Sequence, residues 1–352
     1  IQLMETINQK NFLNNYTYFS NQTKAIEKHF KKLASKIIKN YNLNHEDLVI
    51  DIGSNDGAFL KMFKNKTKVL GIDPAKTVAE FAINKNKIPT LISYFENKTV
   101  QKIKMKYKKA KIILAFNVFA HTPSMIDFVK CVKKILDRKG IFIFEAQYLK
   151  DILQKDILGT FFHEHISHHS VYSLNKLFSS VNLKFEKIEN INIQKGSILG
   201  FVTHKENDIK PNSSVRKFLE KEKKYKINIK EKAIKFYETI KNNAVAAKKL
   251  IDRFQNISGY GAARSGPTLL RNFGIENKIN YILDDHHMKI GKYTPASAIK
   301  IISTKNLLKM MPDLIVILAY LHNKKIIKKN ISYLKKSGKF MILYPKPKLI
   351  TK

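Results

Sequence analysis

The chain has 352 residues, 44% of them hydrophobic, enough to bury more than one core and to suggest two or three domains. Its formal net charge is +37, but arginine occurs only at positions 138, 216, 253, 264 and 271 and lysine runs through every segment, a whole-chain bias that argues against a nucleic-acid groove and leaves steering of a small anion. Cys131 is the only cysteine, which excludes an intrachain disulfide and a cysteine-rich zinc site; with no run of eighteen apolar residues and no leader pattern, the expectation is a cytoplasmic protein without a membrane span.

Ile1 is not an initiator methionine, so the natural start is expected upstream or trimmed. After Tyr16, Tyr18, Ser20 and Thr23, the residues Ile26, Phe30, Leu33, Ala34 and Ile37 recur at three- and four-residue steps and predict a helix, capped by Ser20 or Thr23. Asp47 to Asp51 reads as a buried strand, followed by the loop Ile52-Gly53-Ser54-Asn55-Asp56-Gly57 and a helix from Ala58 to Lys64. Strand, glycine loop and helix open a doubly wound α/β sheet.

A second strand, Lys68 to Ile72, ends in Asp73, twenty residues beyond Gly53, the spacing at which a carboxylate takes ribose hydroxyls. Asn55 stands where a dinucleotide fingerprint needs its second glycine. The loop instead suits S-adenosylmethionine, which carries no pyrophosphate and whose amino acid end is met by loop carbonyls and acids; a plain αβ turn is the alternative. The expected cofactor residues are Asp51, Gly53, Ser54, Asp56, Asp73, Pro74 and Asn117.

Further strands are expected at Lys111 to Phe116 and Gly140 to Ala146, with a helix through Met125, Phe128, Val129, Val132 and Ile135 between them. Asn117 to His121 and Glu145 to Tyr148 then fall at carboxyl ends of strands, where ligands bind in such sheets. Shortly after comes Thr160-Phe161-Phe162-His163-Glu164-His165-Ile166-Ser167-His168-His169-Ser170. The run from His163 to His168 is one residue too long for a His-Glu-x-x-His zinc site. A metal held by His163, His165, His168 and His169, and a purely structural histidine cluster, are the alternatives to acid–base chemistry by an imidazole beside a carboxylate. The expectation is no metal.

Leu174 to Val181 predicts a helix, and Phe185 to Ile193 with Ser197 to His204 a hairpin turning at Lys195-Gly196, the antiparallel pair usual in methyltransferase sheets. Residues 205–256 read as a helical, solvated connector, with helices at Ser214 to Lys224 and Ile229 to Phe254. Ile257 to Gly266 begins a second strand, glycine loop and helix, whose Arg264 and Ser265 suit a phosphate or a tight turn alike. Strands at Asn280 to Leu283, Leu314 to Ala319 and Phe340 to Leu343 complete a smaller α/β domain.

In order, Asp51-Ile52-Gly53-Ser54-Asn55-Asp56-Gly57, Gly71-Ile72-Asp73-Pro74, Asn117-Val118-Phe119-Ala120-His121, His163-Glu164-His165, Gly259-Tyr260-Gly261-Ala262 and Asp284-Asp285 followed by Lys289-Ile290-Gly291-Lys292 resemble the sugar C-methyltransferases of deoxysugar biosynthesis. That family joins a zinc-binding module, an S-adenosylmethionine domain and a C-terminal α/β domain, and methylates a carbon beside the ketone of a nucleotide-linked keto sugar. The resemblance implies His165 as general base with Glu164 as its partner, Asp73 on the ribose, and Tyr16, Tyr18, Ser20 and Thr23 on the sugar-nucleotide side. His121, Phe162 and Arg264 are the further substrate-side candidates. Three departures stand out. The zinc module is absent from this chain, Phe162 replaces the family's tyrosine, and Lys195-Gly196-Ser197-Ile198-Leu199 lacks the family's substrate-facing arginine.

The expected architecture is a class I methyltransferase sheet with a terminal antiparallel hairpin plus a second, smaller Rossmann-like α/β domain. Its parts are an N-terminal remnant at 1–38, a methyltransferase domain at 39–204, the connector at 205–256 and the C-terminal domain at 257–352. The expected activity is C-methylation of a nucleotide-linked or phosphorylated, hence anionic, sugar by a monomer or weak dimer. The alternatives are O-methylation through the same histidine, and an inactive sugar-nucleotide binding protein.

Overall fold

Buried aliphatic runs build the first sheet. β1 (Leu48–Ile52) is buried throughout and β2 (Lys68–Asp73) throughout after Lys68, the pattern of strands covered on both faces. With β3 (Thr90–Ile92), β4 (Ala110–Phe116) and β5 (Leu136–Gln147) they form a parallel ladder, while β6 (Leu183–Ile191) and β7 (Ser197–His204) close it antiparallel. The order is β3-β2-β1-β4-β5-β7-β6. The order reverses between β1 and β4, so the crevice for ligands opens at the carboxyl ends of those strands.

The computed structural model describes residues 2, 3, 13, 19, 24–191, 196–225 and 229–352. It divides into two units, Ile1–Asp151 with His163–Ile227, and Ile152–Phe162 with Asn228–Lys352. In the first unit, α1 (Lys24–Asn40) covers one sheet face with Leu33, Ala34 and Ile37, and Phe30 stacks on Phe59 at 4.5 Å. α2 (Lys76–Asn84) adds Ala82 to that face. On the other face lie α3 (Asn97–Lys106), α4 (Met125–Ile135), α6 (Val171–Ser180) and α7 (Ser213–Lys224), while the short α5 (Leu149–Gln154) follows β5.

The second unit repeats the theme. α8 (Ile229–Ile251) packs on α9 (Gly266–Phe273), and the sheet uses β8 (Ile257–Tyr260), β9 (Ile282–Asp284), β10 (Ile301–Ser303), β11 (Leu314–Ile317), β12 (Phe340–Ile342) and β13 (Lys348–Ile350). Short helices α10 (Leu307–Met310), α11 (Asn323–Lys329) and α12 (Ile331–Lys335) connect them. The order is β10-β9-β8-β11-β12-β13, parallel except for β13.

Two sequence expectations change. Ala58 to Lys64 is not an α-helix: between the left-handed Gly57 and the turn at Lys64 to Lys66 only a 3-10 turn, Leu60–Met62, is formed. The residues read as a solvated connector are divided, α7 burying Val215 and Phe218 in the first unit and α8 burying Phe236, Ala247 and Ile251 in the second. Lys195 of the expected hairpin turn lies outside the described residues. No helix among the described residues is long and apolar enough to cross a membrane.

α7 also supplies a buried carboxylate. Glu222 accepts the Val171 and Tyr172 N–H groups at 2.7 and 2.9 Å, meeting unsatisfied donors at the start of α6 beyond the reciprocal Ser170–Ser173 cap. Charge-assisted bonds of this kind contribute about 1.5–3 kcal/mol each. Glu222→Ala should therefore destabilise the first unit by about 2–4 kcal/mol, read as a lower urea midpoint; an unchanged midpoint contradicts the cap.

Candidate active site

The loop after β1 is shaped by two close approaches. Gly53 (φ +70°) and Ser54 both donate their N–H to Ile72 O, at 2.8 and 3.2 Å, and a Cβ on Gly53 would stand 2.6 Å from Val118 Cγ2. Only glycine fits there. Asp73, at the end of β2, accepts the Asn55 N–H at Oδ2 and the Ala75 N–H at Oδ1, each at 2.8 Å. Each oxygen keeps a second lone pair for a ligand hydroxyl. Pro74 beside it is half-buried. Ser54 turns its buried hydroxyl over Gly71, where a Cβ would be 2.5 Å away, and this Oγ has no hydrogen-bond partner among the described residues.

Charge at this loop opposes that of the chain. Asp51, Asp56 and Asp73 are all buried there. Burial, and secondarily the Asp73 carboxylate, pushes Asp51 up to about 8. Burial pushes Asp73 up to about 6; the Ala75 and Asn55 N–H groups pull the other way, and Asp56 adds to the rise.

Across the switch point, Asn117 (φ +56°) donates its backbone N–H to Glu145 O at 2.9 Å and its side-chain amide to Glu145 Oε1 at 3.3 Å. Glu145 is 2% exposed, and its Oε2 lies 3.5 Å from Nε2 of His29 on α1. This imidazole–carboxylate pair is absent from the sequence expectations. Its partners are far apart in the chain, and the one signal for it was a charge interrupting the apolar run Ile141 to Ala146.

His121 ends a 3-10 turn, Phe119–His121, and its ring meets His165 edge-on at 5.0 Å. His165 in turn faces His168 at 6.0 Å. The segment is strapped in place by Ser167 N–H on Ala120 O at 3.2 Å, Leu149 N–H on His169 O at 2.9 Å and a Ser167 Oγ to His169 Nε2 contact of 2.9 Å. Burial holds His168 down to about 3 and His169 down to about 4, so both are neutral near pH 7. Glu164 is buried, with Oε1 4.0 Å from His163 Nε2.

The first unit thus carries Asp51, Gly53, Ser54, Asp56, Asp73, Pro74 and Asn117 at or beside the crevice, with His121, Glu164 and His165 beyond β4 and β5. Phe162 and Arg264 belong to the second unit. Tyr16, Tyr18, Ser20 and Thr23 lie outside the described residues. No group of three His, Cys, Asp or Glu among the described residues could hold a metal.

Two family models match the chain. The "Methyltransferase domain" model matches residues 23–188 and the "C-methyltransferase C-terminal domain" model matches residues 192–345. The chain is an S-adenosylmethionine-dependent methyltransferase. C-methyltransferase NovU of Streptomyces niveus is 28% identical over 342 residues, 96% of this chain and 81% of that protein. Among solved structures, an S-adenosylmethionine-dependent methyltransferase from Clostridium acetobutylicum pairs at 13% identity and TM-score 0.42, covering 51% of this chain and 92% of that one. One from Anabaena variabilis pairs at 13% and 0.43, covering 55% and 91%. At such scores it is the strand order that carries the fold.

The loop fits this methyltransferase's cofactor. S-adenosylmethionine has a sulfonium and an ammonium against one carboxylate, and the three buried aspartates supply the negative charge that such a ligand needs. Asp73 would hold the ribose and the Gly53 loop the amino acid end.

Raised carboxylates make a pH prediction. Both lie above the ordinary aspartate value of about 4, so their contribution to the ligand-free fold is full at low pH and is lost as pH rises through about 6 for Asp73 and about 8 for Asp51. A bound cation reverses the preference. Cofactor binding should release protons between about pH 6 and 8 and tighten as pH rises, measured by calorimetry in buffers of different ionisation enthalpy. Binding with no proton release at pH 7 counts against the aspartates. Asp73→Ala should weaken the cofactor by about ten- to a hundredfold.

Proposed function

We propose that this methyltransferase alkylates a carbon beside the ketone of a nucleotide-linked or phosphorylated sugar, with His165 as general base. The observation that carries the reading is the facing pair His121–His165, 5.0 Å between ring centroids, just beyond the carboxyl end of the strand that positions Asn117. Bound S-adenosylmethionine supplies an electrophilic methyl group. His165 takes the proton from the carbon beside the carbonyl, leaving an enolate whose carbon takes the methyl as the S–CH3 bond breaks and S-adenosylhomocysteine leaves. Glu164, as partner of His165, offsets the charge that imidazole gains with the proton, and His168, neutral near pH 7, adds no competing positive charge beside it. The scattered lysines favour an anionic acceptor through steering.

O-methylation is the second reading, and one observation favours it. Phe162 stands where the resembled family has a phenol that could meet the sugar's oxygen. In that case His165 takes a hydroxyl proton.

His165→Asn should lower turnover by about 10² to 10⁴ while cofactor affinity stays near normal, and His168→Asn should cost far less. Deuterium exchange separates the readings: with a keto sugar, the unmutated enzyme should exchange the proton beside the ketone with solvent and His165→Asn should not. Full turnover in His165→Asn would remove the base from this residue, and methylation of a hydroxyl without carbon exchange would favour the second reading.

A further inference from the structure

Glu145 is a carboxylate at a position where the apolar run from Ile141 to Phe144 could simply continue. β5 is paired on both sides, with Glu145 opposite Phe116 of β4 and Leu199 of β7, and the two-residue period puts it on the face of Ile141 and Ile143 that α1 covers. His29 stands one turn before Leu33 on α1, which brings its Nε2 to 3.5 Å from Glu145 Oε2, an ion-pair distance rather than a hydrogen bond. Burying a carboxylate costs several kcal/mol, and an apolar side chain of similar volume would pack there without that cost. Packing alone gives no reason for the acid.

What Glu145 holds is the amide of Asn117. An ionised carboxylate only accepts, so the orientation of Asn117 that keeps two acceptors apart points Nδ2 at Glu145 Oε1, at 3.3 Å, and turns Oδ1 away from it. Asn117 is also left-handed (φ +56°) and donates its backbone N–H to Glu145 O at 2.9 Å, so backbone and side chain are tied to one residue. The next residue, Val118, closes on Gly53 from the β4 side, whereas Asp73 stands on the β2 side. Asn117 therefore lies across the crevice from the ribose acid, beside the loop that would hold the amino acid end. At that end the ammonium is the group that only donates, and a fixed carbonyl oxygen is its complement.

We propose that Glu145 and His29 are positioning residues for the cofactor: they fix the Asn117 amide so that its Oδ1 accepts a hydrogen bond from the ammonium of S-adenosylmethionine. Glu145 sets the orientation through Oε1, while His29 stands over Oε2 and, when protonated, offsets the carboxylate's charge. Asp73 then serves the hydroxyls of the cofactor and Asn117 its amine. The inference concerns the cofactor and stands whichever atom of the acceptor is methylated.

The test is calorimetry on the full chain with S-adenosylhomocysteine and with its deamino analogue, which keeps the adenosine, thioether and carboxylate but lacks the ammonium. The unmutated protein should prefer S-adenosylhomocysteine by about tenfold or more, the effect of one charge-assisted hydrogen bond. Asn117→Ala and Glu145→Gln should each cut that preference to about threefold or less while leaving the deamino analogue within about twofold. Adding Asn117→Asp to Glu145→Gln exchanges donor and acceptor across the pair and leaves an oxygen for the ammonium, so the preference should return; a loss caused by disturbed packing would not be restored this way. His29→Leu should cut the preference as Glu145→Gln does, and His29→Gln, which keeps an N–H donor, should retain it. If Glu145→Gln fails to fold, the two His29 variants decide. The inference is overturned if the unmutated protein binds both ligands alike, if Glu145→Gln or His29→Leu weakens both ligands equally, or if Asn117→Ala leaves the preference unchanged.

Discussion

The clamp made by the Asp73 carboxylate is the constraint on which the site depends. One buried side chain ties the loop after β1 to the chain after β2 through two backbone N–H groups. Such bonds contribute about 1.5–3 kcal/mol each, and desolvating a carboxylate costs several kcal/mol, so the net gain to the empty fold is close to nothing. What the clamp provides is geometry. It holds Gly53 and Asn55 in left-handed conformations and keeps acceptor lone pairs facing the crevice. The same desolvation explains how three acids sit together there, in a stretch from Asp51 to Leu60 with no lysine: burial pushes Asp51 and Asp73 toward their neutral forms.

How much of this was legible follows from the range of each interaction. β1, the glycine loop and Asp73 are local patterns, and the twenty-residue spacing is set by one crossover, so they could be read directly. β3 is three residues with no buried side chain, and α3 is dominated by lysine, so neither offered a period to read. The helix expected at Ala58 failed because Gly57 takes φ +73° and the following residues have room only for a 3-10 turn.

Around the histidine cluster, contacts come both from sequence neighbours and from distant elements. Glu164 has an imidazole on either side in the chain, and a turn at residues 163–164 brings its carboxylate to within 4.0 Å of His163. His165 faces His121, which comes from the end of a different strand. The imidazole–carboxylate pair beside Asn117 joins half-buried His29 to buried Glu145, residues that only the docking of α1 on the sheet brings together. Side-by-side residue types can suggest a chemistry, but topology chooses the partners.

The two glycine loops carry this point further. Backbone conformation, the close approach to the fourth strand and the acid at the end of the second are shared by Gly53 and Gly261, so none of these features distinguishes what the loops hold. In charge the loops differ at two positions, Asp51 against Gly259 and Asp56 against Arg264, and the N–H that meets the acid comes two residues after Gly53 but one after Gly261. A fold of this kind supplies hydrogen-bond donors and a hydroxyl acceptor, and leaves ligand charge to side chains that do not shape the backbone.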